Sequence, residues 1–232
     1  MSGYFQTQYQ DVVVSPFRNI AYSLQRGELR VPDFQRPHVW DVGRKLALLD
    51  SLRRKIPIGA VTVWRTHHNR DASPDFATPI PTPEGDATTW GCYNYILDGH
   101  QRLSTYMEAV TDERFKYNPW EDSFHFVEGE AHRDWVPVPV LVDNMRMFEW
   151  LRVWAGDFQV TDIPEVLILA PNKAGWGLKD ALVPLYNIIT DDVEDAAEAF
   201  LRLNRGGVWI DDATLDNMVS LIRGVPQQGN LP

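Results

Sequence analysis

Tyr93-Asn94-Tyr95-Ile96-Leu97-Asp98-Gly99-His100-Gln101-Arg102 passes from a short apolar run into a polar pentad. The run reads as a buried strand. Leu103, Tyr106, Met107 and Val110 follow at i, i+3, i+4 and i+7, which makes one face of a helix. The pentad therefore sits at a strand-to-helix turn. Gly99 lets the chain turn tightly. The first turn of a helix carries N–H groups and a positive dipole end that favour an anion. Arg102 adds a planar, permanently charged fork suited to phosphate or carboxylate. His100 can move a proton near neutral pH, and Asp98 can hold a metal or accept a hydrogen bond. A plain structural reading is also open: Asp98 as a helix N-cap, Gly99 as a turn residue, Arg102 as a surface salt-bridge donor.

Upstream, residues 1 to 14 form a loose arm or an edge strand. Ser15-Pro16 has the form of an N-cap followed by proline, opening a helix with Phe17, Ile20, Ala21 and Leu24 inward and Gly27 at its end. Pro32 and Pro37 keep the segment 29–40 extended. That segment presents Gln35 and Arg36 between the anchors Phe34 and Trp40. Asp41 caps a helix with Val42, Leu46, Leu49, Leu52 and Ile56 inward, stopped by Pro57-Ile58-Gly59. Residues 60–64 are a strand. Residues 66–92, with four prolines, are a long loop or a hairpin insertion.

Downstream, Phe124-His125-Phe126-Val127 and residues 136–141 read as strands, the latter at an edge because of Pro137 and Pro139. Asp143 caps a helix carrying Met147, Trp150, Leu151 and Trp154. Residues 163–170 and 178–189 are predicted as two helices, separated by a turn around Pro171-Asn172 and Gly175-Trp176-Gly177. Asp191, Asp192 and Glu194 start another helix, with Val193, Ala196, Ala197 and Phe200 buried. Asn204-Arg205-Gly206-Gly207 breaks it, and a last helix follows Asp211 or Asp212. His67 and His68 are read as surface residues, and His125 and His132 as satisfied or exposed.

The 232 residues can bury a substantial core, and 44% hydrophobic residues with nine tryptophans indicate a folded, soluble chain. No apolar run spans a bilayer and no signal peptide is visible, so a cytoplasmic home is expected. Cys92 is the only cysteine, which rules out an internal disulfide. The net charge of -10 opposes nucleic-acid binding by overall charge. It leaves open a local basic groove around Arg44, Lys45, Arg53, Arg54 and Lys55, although a solvated helix face is the simpler reading. No P-loop, GxGxxG, HExxH or nucleophile elbow is present.

Three clusters stand out together: Phe34-Gln35-Arg36 with Trp40, Asp98 to Arg102 with Leu103-Ser104-Thr105, and Phe200-Leu201-Arg202-Leu203-Asn204-Arg205-Gly206-Gly207. Their order resembles the ParB/sulfiredoxin-like family that forms the N-terminal part of GmrSD-type modification-dependent restriction enzymes. That family shows Gln-Arg-x-aromatic-x-Trp, Asp-Gly-Gln-Gln-Arg-Leu and Phe-x-x-x-Asn-x-Gly segments. The resemblance spans residues 29–215. His100 stands where the restriction relatives carry Gln, as in ParB-type and sulfiredoxin-type turns.

The resemblance implies an α+β fold: a ParB/sulfiredoxin-like core with a small mixed sheet and flanking helices over residues 1–142, and a helical part over 143–232 completing the site. It implies binding of an NTP, ATP or GTP, with Mg²⁺, and hydrolysis or phosphoryl transfer linked to DNA modification or restriction. The implied catalytic residues are Asp98, His100 and Arg36, with Asp98 on the metal. Gln35, Gly99, Gln101, Arg102, Ser104, Asn204 and Gly206 would bind the nucleotide. A nucleotide- or modified-DNA-sensing module and a metal-dependent nuclease are the other classes. Expected partners are a nucleotide, DNA or a modified base through a local groove, and a nuclease or modification chain, since no HNH-type segment is seen. No membrane is expected.

Overall fold

The computed structural model describes residues 9–30, 40–67, 92–156 and 163–205. Within them seven strands and seven helices make a mixed α+β architecture, as expected, with two small sheets. The main sheet has the order β1 (Tyr9–Pro16), β7 (Leu182–Ile189), β2 (Val61–Thr66), β3 (Tyr93–Asp98). Strand β7 runs antiparallel to β1 and parallel to β2, and β2 runs antiparallel to β3. The sheet thus takes strands from both sides of residue 143.

Alternation along these strands assigns their two faces. Val61 and Val63 of β2, Ile96 of β3 and Val183 of β7 point into the larger core. There they meet α1 (Phe17–Gln25), α2 (Val42–Arg53) and α3 (His100–Thr111) through Phe17, Ile20, Leu24, Leu49, Leu52 and Leu103. On the other face Trp64 and Tyr95 pack with ring centroids 5.4 Å apart, and the Trp64 indole donates to the Thr190 carbonyl at 2.8 Å. Helix α7 (Val193–Arg205) packs against β3, with Ala196, Ala197 and Phe200 buried.

The expected capping residues act as such. Asp41 accepts from the Arg44 amide at 2.9 Å, and Asp143 from the amides of Met145 and Arg146 at 2.8 and 3.1 Å. Ser15 differs. It lies in β1, an edge strand, and Pro16 is the N-cap of α1, with no side-chain cap. In α2 the inward face is Leu48, Leu49 and Leu52, while Val42 and Ile56 are exposed. Ile56 lies past the helix end, where Lys55 takes a left-handed conformation (φ 55°).

The second sheet, β5 (Ser123–Phe126), β4 (Phe115–Asn118) and β6 (Val136–Pro137), holds the aromatic segment. The strand predicted over 136–141 is only two residues long, at the sheet edge as expected. It passes directly into the short helix α4 (Val138–Leu141). Helix α5 (Asn144–Ala155) follows.

Two predictions downstream are corrected. The turn around Pro171 and Gly175-Trp176-Gly177 does not exist, because α6 runs unbroken over Glu165–Asp180. Its glycines serve close packing. A Cβ at Gly175 would lie 2.1 Å from the Leu141 carbonyl oxygen, and one at Gly177 2.3 Å from that of Arg53. Of the helix predicted over 178–189, residues 178–180 end α6, whereas Leu182–Ile189 form strand β7, one of the two inner strands of the sheet. Its β-branched residues and Pro184 fit a strand better than a helix interior.

Candidate functional site at the β3–α3 turn

Strand β3 ends at Asp98, and α3 starts immediately at His100. Gly99 joins them with φ 100° and ψ 0°, a left-handed conformation that L side chains rarely adopt. Space demands glycine as well. A Cβ there would sit 2.9 Å from Cγ2 of Val61, on the neighbouring strand. Gly99, and not Asp98, is the N-cap, and it has no side chain with which to cap the first turn.

Arg102, in the first turn of α3, folds back over this junction. Its Nη1 donates to the Ile58 carbonyl at 2.7 Å, and its Nη2 to Asp98 Oδ2 at 3.1 Å. The guanidinium side chain is 14% exposed against 51% for Asp98. Gly59 (φ 87°) makes room for it, since a Cβ there would lie 2.7 Å from Nη1. Arg102 therefore makes the salt bridge of the plain structural reading, but from a mostly buried position and not at the surface. It is a mostly buried clasp between the α2–β2 turn and the end of β3.

His100 and Ser104 lie one helical turn apart on the same side of α3, and both are buried, at 6% and 8% exposure. Ser104 Oγ has no hydrogen-bond partner among the described residues. Gln101 is partly exposed. The turn thus offers solvent a half-exposed carboxylate at a helix N-terminus, with an imidazole and a hydroxyl beneath.

Of the residues expected to join this turn, Gln35, Arg36 and Gly206 lie outside the described residues. Asn204 falls in the last turn of α7, which packs on β3, and its side chain lies outside them too. Arg30 forms a parallel bridge to Tyr95, with its amide on the Asn94 carbonyl at 2.9 Å and its carbonyl on the Ile96 amide at 2.8 Å. At Arg30 the chain therefore runs alongside β3, towards the end that carries Asp98.

The basic residues of α2 are engaged in ion pairs. Lys45 is held by both oxygens of Glu108 at 2.8 and 2.6 Å, and Arg53 and Arg54 by Asp50. Arg53 also pairs with Asp122, and Arg44 with Asp41. His67 is exposed and meets Asp191 at 3.0 Å. His125 stacks on Trp135 and bonds Ser123, whereas His132 sits beside Asp134. No group of three or more metal-ligating side chains converges among the described residues. None of their helices is long and apolar enough to cross a membrane.

A mixed sheet whose strand ends in Asp-Gly and turns at once into an uncapped helix N-terminus defines an α+β protein with a polar strand–helix junction. The matching family model is that of the GmrSD restriction endonuclease N-terminal domain, over residues 17–217, and the chain belongs to this family. Membership links it to DNA restriction. No curated protein is significantly similar to it.

Two buried polar residues escaped the sequence reading. Asn94 passed as part of an apolar run, and Asn187 lay in a segment read as helix. Both are amides in otherwise apolar, inward-facing rows of the sheet, at 5% and 0% exposure. A strand-period reading of residues 182–189 would have exposed the second.

Proposed function

We propose that this chain is the nucleotide-dependent part of a DNA restriction system. It holds an NTP, ATP or GTP, with Mg²⁺ at the β3–α3 turn, and hydrolyses it or transfers its terminal phosphoryl group, with DNA or a modified base as acceptor. The observation that carries this reading is the turn at Gly99. Its left-handed backbone and the absence of a capping side chain leave the positive end of α3 at the end of the sheet, beside a half-exposed carboxylate.

Phosphoryl transfer depends mainly on positioning and charge stabilisation. In hydrolysis the water oxygen bonds to the terminal phosphorus, the bond to the bridging oxygen breaks, and the displaced diphosphate leaves with that electron pair. The water proton ends on the released phosphate. Mg²⁺ is commonly held by one or two carboxylates plus phosphates and water. Asp98 fits that mode, since Arg102 contacts only its Oδ2, and the ion would neutralise phosphate charge there. Arg102 fixes the orientation of Asp98, His100 supports the turn from beneath, and Arg36 and Gln35 would neutralise charge on the transferring group and orient its surroundings. A nuclease or modification chain is the expected partner.

One observation favours a second reading, a nucleotide- or modified-DNA-sensing module without turnover. Both terminal nitrogens of Arg102 already bond protein oxygens, so its fork clasps structure as much as it awaits a ligand.

Calorimetry with the four NTPs and Mg²⁺, with and without DNA, together with phosphate release, tests both readings. The expected result is binding of ATP or GTP, and an Asp98→Ala variant that still binds but turns over at least about 100-fold more slowly. Binding without turnover in the unaltered protein selects the sensor. No binding of any NTP rejects the site.

A further inference from the structure

At the opposite end of the main sheet, on the face covered by α1, the inward rows turn polar within one alternation of each other. Strand β2 runs Val61, Val63, Arg65; β3 runs Ile96, Asn94; β7 runs Val183, Leu185, Asn187. Arg65 pairs with Asn94 across the strands, and Asn187 with Val63. The three polar side chains line a pocket of about 120 Å³ beneath α1, which Glu28 also borders. One buried water needs only about 10–15 Å³ of such space, so this pocket takes several waters or a small molecule. Asn94 and Asp98 are four residues apart on β3, about 13 Å at strand rise. The pocket is therefore separate from the β3–α3 turn, and the inference does not rest on the proposed nucleotide chemistry.

The lining is built for a ligand with both donors and acceptors. Asn187 is fully buried, and among the described residues neither its Oδ1 nor its Nδ2 has a hydrogen-bond partner. Asn94 spends its Nδ2 on the Glu28 and Cys92 carbonyls, at 3.0 and 3.4 Å, and so holds its Oδ1 fixed and unpartnered. Arg65 Nε is buried without a partner as well. Glu28, on the pocket rim, pairs with Arg26 instead, both its oxygens accepting at 2.7 Å. A buried amide without partners costs stability unless something pairs with it. The Asn94 and Asn187 carbonyl oxygens ask for N–H donors, while Arg65 Nε and the Asn187 amide nitrogen ask for acceptors.

We infer that this pocket, framed by Arg65, Asn94 and Asn187, binds a small planar molecule with adjacent N–H and C=O groups, the edge presented by a pyrimidine base. A free base or nucleoside and a base extruded from a DNA strand share that edge.

The test uses the whole chain with uracil, thymine and cytosine as probes, read by ligand-detected NMR and by the rise of Tm with probe concentration. Saturable binding of at least one base is expected. Asn187→Leu, which replaces the unmet amide with an apolar group of similar size, should weaken that binding about 100-fold, the loss of roughly two hydrogen bonds. It should also leave the unliganded Tm unchanged or higher. Displacement of the base by a short single-stranded oligonucleotide, absent with an abasic strand, identifies DNA as the source. Failure of the oligonucleotide to compete identifies a free base or nucleoside. No saturable binding of any base, or binding unaffected by Asn187→Leu, overturns the inference.

Discussion

Arg102 reaches back 44 residues along the chain to donate to the Ile58 carbonyl at 2.7 Å. The same guanidinium holds Asp98 at 3.1 Å. One side chain thus ties the turn before β2 to the end of β3, and positions the carboxylate that faces solvent at the candidate site.

Removing that clasp should destabilise the protein. Arg102→Ala leaves a partly buried carbonyl without its donor and frees Asp98, at a cost of about 1–3 kcal/mol. Arg102→Lys keeps the charge but cannot span both acceptors with one planar fork, so its urea midpoint should fall between those of Arg102→Ala and the unaltered chain. Equal midpoints for all three proteins would show that the clasp contributes nothing.

Gly99→Ala should cost more than Gly129→Ala. Both positions have positive φ, 100° and 116°, but only Gly99 has a neighbour, Val61, within 4 Å of the added carbon. The shared backbone strain is about 1–3 kcal/mol, and the excess at Gly99 measures the contact with β2. Denaturant curves of the two variants give the difference directly. Indistinguishable curves would contradict the close strand contact.

Gly177→Ala should be among the most disruptive single-methyl additions in the chain. Its Cβ would lie 2.3 Å from the Arg53 carbonyl oxygen, a backbone atom that cannot rotate away. Overpacking of this kind costs about 1–3 kcal/mol and occasionally more. Gly43→Ala, whose nearest neighbour is a side-chain oxygen of Asp41 at 3.1 Å, is the control and should fall well below it in thermal unfolding.

Asp191 should make stability depend on acid pH. The His67 amide at 2.7 Å, the His67 ring and the Thr66 hydroxyl at 3.0 Å hold its carboxyl down at about 2, below the ordinary 3.8. A depressed folded-state value contributes stability that is fully present above about pH 4 and is lost as the pH falls towards 2. Asp191→Ala should therefore show a lower urea midpoint than the unaltered protein at pH 6, and the gap should shrink between pH 4 and 2. A gap that stays constant across that range would assign the effect to packing alone.

Local signals were legible wherever a few neighbouring residues settle the conformation. Asp41 and Asp143 cap their helices because a short carboxylate reaches the amides of the next turn, and no distant residue is needed. The strand, glycine and helix around Asp98, Gly99 and His100 could be read for the same reason, and so could family membership, from three clusters in fixed order. What only the tertiary structure decided depends on neighbours remote in sequence. Gly175 and Gly177 look like a turn until the Leu141 and Arg53 carbonyls show why no side chain fits on a continuous helix. Residues 182–189 become a strand because β1 and β2 supply hydrogen-bond partners on both sides. That Arg102 also clasps the Ile58 carbonyl, 44 residues away, could not be read locally. The burial of Asn187 could be read only once residues 182–189 were taken as a strand, and its lack of a partner is set by α1 and the strands packed around it.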